Sequence, residues 1–189
     1  MYVLLSGFST SELSSDCGWI NDLSERALKG DFNFDIGRFI VSPFYNIFIA
    51  GHKYLFQNNW SLALIITLLI ISSLSGVYFY KLGKLIFVNK KVAIVSTIIF
   101  GIFPMTLYWV HTFSSESIFQ SLLIISIYYL VKSTKSKNYS DLVKSALIFS
   151  VVFLTKSHIL LFTPFLAFYL YLNFSSNKKI SFPLIYGVI

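Results

Sequence analysis

The chain has 189 residues, 56% of them apolar and 12% charged, with a mean hydropathy of +0.72. A soluble domain carries roughly 25% charged residues, so this composition excludes one and identifies an integral membrane protein. The net charge of +7 sits on lysines in the gaps between apolar runs, which makes it a mark of membrane topology and not of nucleic-acid binding.

In chain order, Met1 to Phe8 is apolar but too short to span, and 9–59 contains no span; the latter reads as a long outer loop carrying interfacial helices. Ser24 to Gly30 predicts a helix closed by Gly30. Phe44 to Phe56, behind Pro43, predicts an aromatic amphipathic helix lying in the interface plane, with His52 and Lys53 near its end. Spans are predicted at about 60–80, 92–110, 115–131, 143–155 and 159–174. The second contains Gly101 and Pro104, which membrane helices tolerate where neighbours satisfy the freed backbone groups. Lys81, Lys84, Lys90 and Lys91, then Lys132, Lys135, Lys137 and Lys144, then Lys178 and Lys179, mark cytoplasmic loops. Alternation places Glu12, Asp16, Asp22, Glu25, Asp31, Asp35 and Glu116 outside and leaves Asp141 as the one carboxylate among the basic loops. The fold class is therefore all-α, a polytopic membrane helix bundle. Met1 to Phe8 and Ile180 to Ile189 both read as cut segments, so the chain is expected to be the N-terminal part of a longer multipass protein, or a truncated product. The lone Cys17 excludes an internal disulfide.

Three charged residues are candidates for function: Asp16, Glu116 and Lys156. An ionisable group at membrane depth costs about 2.5 to 3.5 kcal/mol on insertion scales, so one kept there points to a site. Lys156 lies inside the apolar block 143–174, which has basic gaps at both ends; the block must then be a hairpin with Lys156 at its outer tip, or one long helix along which Lys156 snorkels. Asp16 reads equally as a cap or solvated loop acid, and Glu116 as an acid favoured at a helix N-terminus. His111 and His158 lack a tight spacing and read as interfacial or packed, as does His52. Asp16 offers a carboxylate able to take up a proton and Lys156 a cation able to stabilise an anion.

Four stretches resemble the GT-C glycosyltransferases, specifically the bacterial relatives of the dolichyl-phosphate-mannose protein mannosyltransferases and the lipid A aminoarabinose transferases. They are Ser15-Asp16 with Ala27 and Gly30 behind it, Arg38 to Ala50 with Ser42-Pro43-Phe44-Tyr45, Phe103-Pro104 leading to Ser115-Glu116-Ser117, and Phe153-Leu154-Thr155-Lys156. The resemblance implies an inverting transferase that moves a sugar from a polyprenyl-phosphate donor to a protein, lipid or glycan acceptor on the outer face of the plasma membrane. It implies catalytic roles for Asp16 and Glu116, donor-phosphate contacts for Lys156 and Arg38, and, in some members, a divalent metal at Asp16 and Glu116. Cys17 and Trp19 or Ile20 replace the acid and tyrosine that often follow the first Asp, and Ile40-Val41 replaces a charged pair, which leaves the acceptor class open. Readings from other classes are a transporter or flippase subunit, which would call for repeat symmetry, and an inactive truncated membrane scaffold.

Overall fold

The computed structural model describes residues 15–32, 43–111 and 114–174, and every regular element among them is helical. The protein is an all-α membrane helix bundle. Its contacts divide it into two units, residues 1–64 and 65–189.

The first unit contains α1 (Ser15–Leu28) and α2 (Pro43–Phe56). The helix foreseen at Ser24 starts earlier, at Ser15. Its end is set by Gly30, whose φ of +79° no side chain adopts cheaply. There the Gly30 N–H bonds the Ala27 carbonyl and the Asp31 N–H bonds that of Arg26, the two bonds of a Schellman motif. Pro43 opens α2, where its fixed φ suits a first helical position and its missing N–H costs nothing. Along α2, Phe44, Phe48, His52 and Phe56 stack at one-turn intervals, with centroids 4.5 to 6.1 Å apart. Beside this row, Tyr45, Asn46, Ile49 and Ala50 are buried. Lys53 ties α2 to α1: its ammonium donates to the Asn21 side chain at 2.7 Å and lies 5.1 Å from the Trp60 ring centre.

After α2, Gln57 takes φ +44° and a short 3-10 turn, Gln57–Asn59, separates α2 from α3 (Trp60–Ile86). At 1.5 Å per residue the 27 residues of α3 reach about 40 Å, enough to cross a bilayer. The helical stretches Pro43–Ile86 and Ser115–Ser136 are both long and apolar enough to do so.

In the second unit α3 is followed by α4 (Lys90–Ile102), α5 (Pro104–His111), α6 (Ser115–Ser136), α7 (Tyr139–Thr155), a 3-10 helix (Ser157–Phe162) and α8 (Thr163–Phe174). Helices α3 and α4 form an antiparallel hairpin. A Cβ on Gly83 would lie 3.0 Å from the Ala93 Cβ, and Phe79 stacks on Phe100 at 4.7 Å. The apolar run 92–110 is two helices, not one. Phe103 is extended (φ −64°, ψ 121°) because the ring of Pro104 excludes the helical conformation from the residue before it. Helices α6 and α7 are joined by Lys137, in the left-handed region at φ +53°, and Asn138, whose side chain caps α7 by accepting from the Ser140 N–H at 2.9 Å. That cap starts α7 at Tyr139, four residues before the apolar run.

Packing in this unit is inverted relative to a soluble protein. Ser117, Ser121, Ser126, Ser133, Thr134, Ser145 and Thr155 are buried, while Ile70, Ile98, Ile99, Leu147, Phe165 and Leu172 are exposed. Small hydroxylated residues let membrane helices approach and satisfy one another. Ser126 and Ser145 do this reciprocally, each hydroxyl donating to the other's carbonyl at 3.0 and 2.9 Å. Leu130, Leu142, Ala146, Phe149, Val152, Ile159 and Leu170 form the apolar core around them.

Candidate functional site

The site begins at a helix break. The last turn of α7 closes with the Lys156 N–H bonded to the Val152 carbonyl at 2.9 Å, and Lys156 itself is extended (φ −148°, ψ 106°) before the 3-10 helix begins. Chain direction reverses there. Further on, Tyr169 of α8 meets Thr134 near the end of α6 at 3.2 Å, and Asn173 accepts through its carbonyl from Lys137. Helix α8 therefore runs back along α7 and places Lys156 at the tip of a hairpin. One long helix with a snorkelling lysine is excluded by this geometry.

The opposing group comes from α6. Ser114 caps that helix by accepting from the Glu116 N–H at 3.3 Å, so Glu116 stands in the first turn, where the helix dipole favours a carboxylate. Its Oε1 is paired with the Lys156 ammonium across 40 residues of sequence. The side chains are 35% and 23% exposed, so the pair is neither sealed in the core nor fully solvated. His158 adjoins it, its ring 5.7 Å from that of Phe119, which lies one turn along α6 from Glu116. A cation held by a carboxylate at a helix break can be shared with, or handed to, an arriving phosphate oxyanion, and the carboxylate keeps the ammonium aimed meanwhile.

The structure thus brings together Glu116 and Lys156. Asp16 is the second residue of α1, and its side chain lies outside the described part of the structure. Arg38 lies outside the described residues, as does the side chain of His111. Glu116 is paired with the Lys156 ammonium, and no group of three metal-ligating side chains occurs among the described residues, which do not include the side chain of Asp16. Sequence reasoning passed over Phe119 and Ser114, for which the signal was weak. It noted the isolation of Asp141 among lysines but gave that residue no role.

A family model described as dolichyl-phosphate-mannose-protein mannosyltransferase matches residues 41–189, a span that contains Glu116 and Lys156 and leaves out Asp16 and Arg38. With the apolar helices and the membrane-type packing, this defines the protein as a membrane glycosyltransferase of the GT-C type. The chain belongs to the dolichyl-phosphate-mannose-protein mannosyltransferase family. No curated protein and no solved structure matches it.

Proposed function

We propose that this glycosyltransferase takes a sugar from a polyprenyl-phosphate donor and transfers it, with inversion, to a protein, lipid or glycan acceptor at the outer face of the plasma membrane. The observation that carries this reading is the Lys156–Glu116 pair at the hairpin tip, a cation of the kind a leaving phosphate requires, held by a carboxylate at the start of a membrane-length helix. In this scheme Lys156, with Arg38, meets the donor phosphate and stabilises the charge it gains as the glycosidic C–O bond breaks. Glu116 orients Lys156. Asp16 removes the acceptor proton as the new bond forms. The lysine clusters support the orientation, with Asn89 and Asn138 cytoplasmic and Asn21 and His111 outside.

The test is a transfer assay in membranes containing the protein, with radiolabelled polyprenyl-phosphate sugars. Asp16→Asn should lower turnover by about 10² to 10⁴-fold, the usual contribution of a general base, while leaving donor binding intact. Near-normal transfer by that variant would remove Asp16 from the chemistry. Labelling of a cysteine at position 138 by an impermeant reagent added outside, on a Cys17-free background, would overturn the orientation.

A further inference from the structure

At the other end of the same helices lies a second cluster that the transfer chemistry does not use. Asp141, in the first turn of α7, is 3% exposed. The Lys132 ammonium from α6 donates to its Oδ1 at 3.1 Å and stands 2.9 Å from Oδ2, off the line of a hydrogen bond. Lys144 of α7 approaches Oδ1 at 4.0 Å. Both ammonium groups also lie over the Tyr129 ring, at 5.9 and 5.7 Å from its centre. Tyr129 belongs to a trio with Tyr78 and Tyr128, whose centroids are 5.1 to 5.8 Å apart, and Lys81 of α3 lies 4.8 Å over Tyr78.

We propose that this cluster binds the headgroup phosphate of an anionic phospholipid. Two ammonium groups approach the single carboxylate and a third, Lys81, lies over Tyr78 beside them, so the cluster keeps net positive charge after its internal pairing. Two neighbouring lysines are committed elsewhere: Lys135 bonds the Leu85 carbonyl in the last turn of α3, and Lys137 that of Asn173 in the last turn of α8. The flanks indicate a lipid as the source of the phosphate. Leu74 and Val77 share a face of α3 with Lys81, and Leu147 shares one of α7 with Lys144; all three apolar side chains are about half exposed or more. From each lysine an apolar row therefore runs away from the basic end, in the direction an acyl chain takes from its headgroup. Tyrosines at the boundary suit the headgroup depth.

The experiment compares retention of phosphatidylglycerol and phosphatidylcholine by the purified full chain, read by native mass spectrometry after exchange into mixed-lipid nanodiscs. The wild type should retain phosphatidylglycerol preferentially. Lys81→Gln with Lys144→Gln should reduce that preference by about 25-fold, since each basic residue near an anionic headgroup contributes about fivefold. Lys132 is left intact because it compensates the buried Asp141. Lys90→Gln with Lys91→Gln, on the same side but outside the cluster, should keep the preference, and the melting curve of each double variant in phosphatidylcholine reports that it folds. Equal losses in both double variants would reduce the effect to the general basic surface and overturn the site. Displacement of the lipid by inorganic phosphate would overturn the assignment to a lipid, and so would equal retention of the two lipids by the wild type. None of these readouts depends on transferase activity.

Discussion

Helices α6 and α7 carry an ion pair at each end, and the two differ in what surrounds the carboxylate. At the hairpin tip, Glu116 is 35% exposed and meets one lysine. At the basic end, Asp141 is 3% exposed and is approached by two lysines. A buried carboxylate must keep its partner, since an uncompensated charge there is strongly destabilising. A part-open one can exchange its partner for a ligand at small cost to the fold. Carboxylate–lysine pairs at the two ends therefore differ in how readily they can exchange a partner, and burial makes the difference.

The largest effect that could break this comparison is on catalysis. Lys156→Ala should lower transfer by about 10² to 10³-fold, the usual loss when one electrostatic stabiliser is removed, and should weaken donor binding as well, while the melting temperature in detergent moves little. Lys156→Arg should keep part of the activity, because the charge survives with a different geometry. If Lys156→Ala melts as early as a variant at the basic end, the tip pair is structural and the contrast is lost.

Next comes the reverse experiment. Lys132→Ala should lower the melting temperature clearly and leave transfer by the folded fraction near normal, and Lys144→Ala, whose ammonium is farther from Asp141, should lower it less. A loss of transfer without a loss of stability would show that the two ends are coupled.

The smaller effects concern the helix contact joining the two ends. Ser145→Leu inserts bulk where the α6 and α7 backbones are in hydrogen-bond contact through Ser126 and Ser145, and should cost about 1 to 3 kcal/mol in detergent unfolding. Ser145→Ala removes a hydroxyl but keeps the close approach, and should cost about 0.6 kcal/mol, the average for such bonds in membranes. Similar losses for the two would mean that hydrogen bonding, not proximity, holds the pair of helices together.

Much of the fold was legible because its signals are local. Composition established a membrane protein and the lengths of the apolar runs an all-helical one, Gly30 and Pro43 marked the end of α1 and the start of α2, and basic gaps on both sides of 143–174 argued for a turn at Lys156. Pro104 was misjudged in one respect: it ends α4 instead of being absorbed in a longer helix, because its ring acts on Phe103 and no neighbour reverses that. The extension of α7 back to Tyr139 was missed because Asn138 caps the helix with a polar side chain, which hydropathy does not register.

Residue spacing could single out Glu116 and Lys156 as unusual, since the cost of a charge in an apolar run depends only on its neighbours in sequence and on the membrane. It could not join them. Whether two side chains 40 residues apart meet depends on the register at which α6 packs on α7, set by contacts such as Ser126 with Ser145 that no single segment contains. The burial of Asp141 is of the same kind: in the sequence it is one acid among lysines, and only the packing of α7 on α6 turns it into a carboxylate shut away from water. Class, helices and caps follow from short-range pattern, whereas which ion pair is buried and which stays part-open is decided by tertiary packing.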